Sequence, residues 1–142
     1  MVTSRRSSFE VGAAPEDVWA FIEKAGNRAE AIRFVTDYRL SDETNIIEWK
    51  VSIPVVDRAI WLETEDVKVE APTFVRFVGE ARIGEMVGEY EVERLDGGGS
   101  RVTQMLRVDS WVPKLESAFE ARFDEEFEYF EQVVRDGVGR EE

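Results

Sequence analysis

The chain has 142 residues, of which 31 are acidic and 18 basic, giving a net charge of −13, and it contains no histidine and no cysteine. Such a charge opposes binding to nucleic acids and to anionic membranes, since both rely largely on lysine and arginine. The missing residue types remove disulfides, zinc or Rieske ligand sets, and every nucleophile that depends on a histidine base.

One domain is expected over residues 1–142, with its core in 3–136 and a short acidic tail in 137–142. The composition is 43% hydrophobic and 11% aromatic. A domain of about 150 residues buries roughly 70% of its unfolded surface, so a sizeable core is within reach. No run approaches the ~18 apolar residues of a membrane-spanning helix. The N-terminal stretch MVTSRRSSFEVG lacks the apolar segment of a signal peptide, and a cytoplasmic location is expected. Only Lys24, Lys50, Lys68 and Lys114 are lysines. High acidity with few lysines resembles the proteins of salt-in halophiles, where carboxylates keep a surface hydrated and salt screens their repulsion.

In chain order, residues 3–12 read as extended, with Phe9 and Val11 on one face. Pro15 then opens a helix whose first turn carries Glu16 and Asp17, and Val18, Phe21 and Ile22 form its apolar stripe beside Trp19. Gly26-Asn27 is expected to end it, and a second short helix is expected over 28–34. From Val35 to Trp111 the period changes to two. Trp49, Val51 and Ile53 alternate with Glu48, Lys50 and Ser52, as in a half-buried strand stopped at Pro54. Further strands are expected over 59–69, 73–81, 86–95 and 101–109. The Asp96-Gly97-Gly98-Gly99-Ser100 segment marks a hairpin turn, and short connections of this kind imply an antiparallel meander. From Pro113 to Gly137 one long helix is expected. Its stripe is Leu115, Phe119, Phe123, Phe127 or Glu126, Phe130 and Val134. The plentiful carboxylates read as a solvated face, and no metal or cofactor site is expected among them.

This order resembles the SRPBCC superfamily, the START and polyketide-cyclase-like helix-grip proteins. Within it, the branch of the polyketide cyclase/dehydrases and of CoxG, a protein associated with carbon-monoxide dehydrogenase, is the most similar. The likeness is carried by Phe9 to Phe21 with its Pro15-Glu16-Asp17-Val18-Trp19 core, by Gly88 to Glu93, by Gly97 to Thr103, and by the aromatic last helix. Gly26-Asn27-Arg28-Ala29 departs from the proline-rich segment usual there. The resemblance implies an α+β fold in which a curved antiparallel sheet of six to seven strands grips the C-terminal helix, with two short helices after the first strand. It also implies an internal cavity.

Alternation places Gly88, Tyr90 and Val92 on one face of a strand, against Glu89, Glu91 and Glu93. On the next strand Val102, Gln104, Leu106 and Val108 share a face. With these faces inward, Tyr90 and Gln104 orient a ligand oxygen or a water, or are satisfied by backbone alone. Trp19, Phe34, Trp49, Trp61, Phe77, Phe119, Phe123 and Phe127 are the further candidates for lining a cavity, with Trp111 beside them. Arg76 shares a face with Phe74 and Val78 and reads as outward. Three functions follow from the resemblance. The first is non-catalytic binding or carriage of a small hydrophobic molecule such as a lipid, polyketide, isoprenoid or quinone. The second is a protein-interaction or maturation role of the CoxG kind. The third is a cyclase or dehydratase, with Tyr90 and a buried carboxylate such as Glu63 or Asp66 as catalytic residues.

Overall fold

The computed structural model describes residues 2–40, 46–53 and 58–139. The expected stop at Pro54 and residues 140–142 of the expected tail lie outside them. The described strands are β1 (Val2–Val11), β2 (Val35–Leu40), β3 (Ile46–Ile53), β4 (Arg58–Glu70), β5 (Phe74–Ala81), β6 (Gly84–Arg94) and β7 (Ser100–Ser110). They form one antiparallel sheet in the order β1-β7-β6-β5-β4-β3-β2. Helices α1 (Pro15–Ile22) and α2 (Ala25–Glu30) lie between β1 and β2, and α3 (Leu115–Glu120) and α4 (Phe123–Gly139) follow β7.

The sheet is a meander except at β1, which pairs with the last strand, Phe9 lying opposite Val102. Side chains alternate as the pleat requires. Gly88, Tyr90 and Val92 of β6 and Val102, Gln104, Leu106 and Val108 of β7 are buried, while Glu91 and Glu93 are exposed. The outer face is laced by cross-strand ion pairs. Arg76 is outward, its Nε donating to Glu89 at 2.6 Å, and Arg39 holds Glu48 at 3.0 Å. The hairpin between β6 and β7 closes with Leu95 N–H on the Gly99 carbonyl, and Gly98 supplies its positive φ of 94°.

Pro15 stands in the first turn of α1, and Val18, Trp19 and Ile22 are buried. Helix α2 starts three residues before the expected Arg28 and ends earlier, at Glu30. Asn27 is inside it rather than a terminator, and its side-chain amide donates to the Phe21 carbonyl at 3.0 Å, tying α1 to α2.

The C-terminal segment is two helices, not one. At the break, Arg122 N–H donates to Phe119 O, three residues back, and a regular helix resumes with Glu126 N–H on Arg122 O. Leu115, Phe119, Phe123 and Phe127 recur every four residues. At 3.6 residues per turn each such step overshoots a full turn by about 40°, so a straight helix would rotate the stripe off the sheet. The tightened turn re-aims it. Gly137 does not stop α4, which runs to Gly139. A Cβ at Gly137 would strike the Phe21 ring, so the glycine admits close contact between α1 and α4.

Aromatic rings fill much of the space between sheet and helices. Trp49 meets Phe77 at 5.4 Å between ring centroids, Phe77 stacks on Tyr90 at 5.9 Å, and Tyr90 on Phe130 at 4.6 Å. Phe130 meets Phe9 edge-on at 6.3 Å. This row runs from β3 through β5 and β6 to α4 and back to β1. Gly88 makes it possible, because any Cβ there would enter the Phe77 ring.

Candidate functional site

Three voids meet at Phe34, the residue just before β2. The first is an apolar pocket of about 50 Å³. Val51 and Leu62 wall it from the sheet, Met86 and Val108 from β6 and β7, and Leu115 and Phe119 from α3. Its nearest polar hydroxyl, Ser110, is already engaged, donating to Ile83 O at 2.8 Å and accepting from Val112 N–H at 3.1 Å. The second is an inner nook of about 20 Å³ lined by Phe34, Tyr90, Gln104, Glu126, Phe127 and Phe130, among others. The third is an open surface cleft of about 440 Å³, where Arg33, Phe34, Thr36, Ser52, Arg122, Glu125 and Glu126 converge. Phe34 is 5% exposed and packs edge-on against Phe119 at 5.4 Å. Phe34 therefore borders all three voids.

Three of the residues that line the nook are polar: Tyr90, Gln104 and Glu126. Tyr90 and Gln104 are a directly opposed cross-strand pair. Gln104 Nε2 donates to the Phe127 carbonyl at 3.2 Å, so this amide braces α4 against the sheet. Burial pushes the Tyr90 phenol far above its ordinary pKa, and the Arg28 charge opposes this only in part. Glu126 is 8% exposed; its carboxylate accepts Arg33 N–H at 2.9 Å and lies 3.5 Å from Arg33 Nε.

Behind Phe77 lies an ion pair that the sequence did not announce. Arg28 of α2 is 2% exposed and grips Asp66 through both terminal nitrogens, at 2.9 and 2.8 Å. Its guanidinium also sits 5.5 Å from the Phe77 ring centre. Bidentate geometry of this kind is among the strongest that side chains make, and it offsets part of the cost of removing both charges from water. Among the described residues, Arg28 Nε, Trp19 Nε1 and Trp49 Nε1 are buried without a hydrogen-bond partner.

Phe34 and Phe119 border the apolar pocket; Phe34, Tyr90, Gln104 and Phe127 border the nook. Trp49 and Phe77 back Tyr90 in the aromatic row, and Trp19 and Phe123 are buried without bordering either void. Trp61 does not belong with them. It is 40% exposed on the outer face under the Arg39 guanidinium, because Leu62 and Thr64 take the inward positions of β4. Glu63 shares that outer face and is exposed, which removes it as an interior acid or base. Asp66 is inward-leaning but committed to Arg28. Trp111 is 64% exposed, its indole N–H donating to Arg82 O. Arg28 and Glu126 are the site residues that sequence reasoning passed over. For Glu126 a signal existed, since it shares the helical stripe of Phe123 and Phe130.

A seven-stranded antiparallel sheet closed over C-terminal helices, with short helices after β1, is the helix-grip architecture of the START superfamily. The chain belongs to the family described as polyketide cyclase / dehydrase and lipid transport, whose model matches residues 2–140. A START superfamily protein from Mycobacterium smegmatis superposes with a TM-score of 0.78 at 10% identity, over 98% of this chain and 99% of that one. The Zhui aromatase/cyclase from Streptomyces sp. R1128 gives 0.79 at 11% identity, over 99% and 95%. A conserved protein from Geobacillus kaustophilus gives 0.76 at 12%, over 97% and 96%. At these identities the likeness is one of fold. No curated protein sequence matches the chain. Among the described residues, no helix is long and apolar enough to cross a membrane.

Proposed function

We propose that the protein binds a small, mainly apolar molecule between the sheet and α3–α4, admitted past Phe34. One observation carries this reading. A hydrocarbon-lined pocket, a partly polar nook and an open cleft share a single aromatic wall. The pocket and the nook, at about 50 and 20 Å³, fall far below the roughly 300–1,000 Å³ of common ligand pockets. In this reading the Phe34 ring, which borders all three, swings aside to join them. The family description, which includes lipid transport, supports the reading. In it, Tyr90 and Gln104 are the polar end, with Phe34, Phe119 and Phe127 as apolar contacts. A cytoplasmic, salt-rich setting completes the reading, and the acidic composition supports it.

The test is to extract the purified protein with organic solvent and search for a stoichiometric apolar compound by mass spectrometry. Uptake of Nile red, a neutral fluorescent dye, is then measured in the wild type and in Phe34→Ala. The expected result is uptake by the wild type and tighter binding in Phe34→Ala. An empty extract together with no uptake by either protein would sink the proposal.

Two observations favour other readings. Glu126, a buried acid among the residues that line the nook with Tyr90, favours cyclase or dehydratase chemistry. The nearly filled interior, with Val67, Val69 and Trp111 more than half exposed, favours an interaction surface instead.

A further inference from the structure

One end of the sheet collects features that the interior does not use. Strand β3 ends there and β4 begins, Ile53 pairing with Arg58. Strand β5 turns into β6 between Ala81 and Gly84, and β7 ends beside Gly84 at Ser110. Phe34 stands at the same end, just before Val35 pairs with Val51. Two of the connections here are tied to each other. Trp111 donates its backbone N–H to Ile83 O at 3.3 Å and its indole N–H to Arg82 O. Ser110 Oγ donates to Ile83 O as well. Ile83, Gly84 and Ser110 of this seam are also walls of the apolar pocket.

On the outer side of the seam Trp111 is 64% exposed, more than any other large hydrophobic side chain among the described residues. Val112, next in the chain, and Ile83, which accepts its backbone N–H, are only half-buried. An indole resists leaving water when its N–H loses a partner. Here the partner is internal, so the ring can enter an apolar medium without stranding a donor. Arg58, Arg82 and Lys114 are exposed at this end, and Arg122 is exposed at the cleft beside Phe34. None of the four holds a carboxylate among the described residues, whereas Arg5, Arg39, Arg76, Arg94 and Arg101 are each paired with an acid elsewhere on the surface. The nearest strand carboxylates, Glu80, Glu85 and Asp109, stand in register across β5, β6 and β7. They alternate with buried positions and so face the outer side of the sheet.

We propose that this end of the molecule docks on a lipid bilayer with net-neutral, phosphate-bearing headgroups, Trp111 entering the interface and Arg58, Arg82 and Lys114 meeting phosphates. Tryptophan suits the boundary between lipid and water, and long cationic side chains reach headgroups while their stems lie on apolar surface. A charge of −13 opposes an anionic bilayer, which leaves a neutral one as the fitting surface. A lipid surface is favoured over an acidic protein because Phe34 and the pocket wall lie at the same end, where an apolar molecule would be collected or released. The inference goes beyond the ligand reading and does not require that a ligand be found.

The experiment sediments the full chain with phosphatidylcholine vesicles at about 0.15 M salt, where screening acts over about 8 Å and distant carboxylates lose influence. The wild type is expected to pellet with the vesicles, and brominated acyl chains are expected to quench part of its tryptophan fluorescence. Trp111→Ala should reduce the bound fraction several-fold and abolish the quenching. The pair Arg82→Glu and Lys114→Glu should also weaken binding several-fold, and both side chains are exposed, so the fold does not depend on them. Two controls should bind as the wild type does: Trp61→Ala, which removes an exposed indole from the outer face, and Lys68→Glu, a charge reversal at the opposite end of β4. A wild type that stays in the supernatant overturns the inference. Equal losses in Trp111→Ala and Trp61→Ala, or no loss in the charge-reversed pair, overturn it too. Binding to immobilised polyglutamate but not to vesicles would make this end a protein-docking face, and counts against it in the same way. Each of these failures leaves the ligand reading standing, because uptake of Nile red is measured without a bilayer.

Discussion

Tyr90 loses its water on folding, and the cost falls on its anion rather than on its phenol. Its folded pKa lies above the ordinary value of 10.0, first by burial. Below pH 10 both folded and unfolded chains carry the proton, and the contribution to stability is fully present. Above it the unfolded chain gives up a proton that the folded chain keeps, so stability falls as pH rises toward the folded pKa. Urea midpoints at about pH 9 and about pH 11 should show the wild type losing on the order of 1 kcal/mol more than Tyr90→Phe. Equal losses would mean that the phenol is not buried as described. The inward face of Tyr90 was legible because Glu89, Glu91 and Glu93 occupy the alternate positions, and three carboxylates in step cannot all face a core. The same logic would have placed Trp61 outside, since it keeps step with Glu63 and Glu65; aromatic character outweighed that pattern. Glu126 was legible on the helical stripe as the alternative to Phe127, but a carboxylate there reads as solvated until the structure shows it 8% exposed.

At the scale of elements, strands and helices are joined less by backbone than by the aromatic row. Phe130 is 2% exposed and stands between Tyr90 of β6 and Phe9 of β1, so α4 is pinned to both strands by one ring. Phe130→Ala should cost about 3–5 kcal/mol, as other buried phenylalanine truncations do, measured by chemical denaturation. A cost under about 1 kcal/mol would show that the row is not the main tie between helix and sheet. The strands and the existence of a C-terminal apolar stripe could be read from periodicity alone. The break at 121–122 could not. No glycine or proline marks it, and its cause is a mismatch between a four-residue spacing and a 3.6-residue turn that matters only against a particular sheet. The early start of α2 was likewise invisible, because Gly26-Asn27 reads as a stop unless the Asn27 contact with Phe21 is known.

For the molecule as a whole, a charge of −13 is a standing self-repulsion. The surface ion pairs do little to offset it, since exposed pairs contribute about 0–1 kcal/mol each. Added salt weakens both, and the repulsion is the larger. The melting temperature should therefore rise as sodium chloride goes from about 0.05 M toward 1 M, where screening shortens to about 3 Å. A flat or falling curve would show that ion pairs outweigh net charge in this protein.

The pairing of β1 with β7 sets an order of events in synthesis. Phe9 finds Val102 across more than ninety intervening residues. Strand β1 must wait for β7, with its edge open until that strand has been made. Contacts so distant in sequence slow folding, and an open strand edge invites pairing with another chain. A ribosome-bound fragment ending before residue 100 would hold every strand but the one that seals β1. Cooperative folding is thus deferred until after β7 emerges, and the nascent chain is most exposed to aggregation, and to chaperones, in the interval before it.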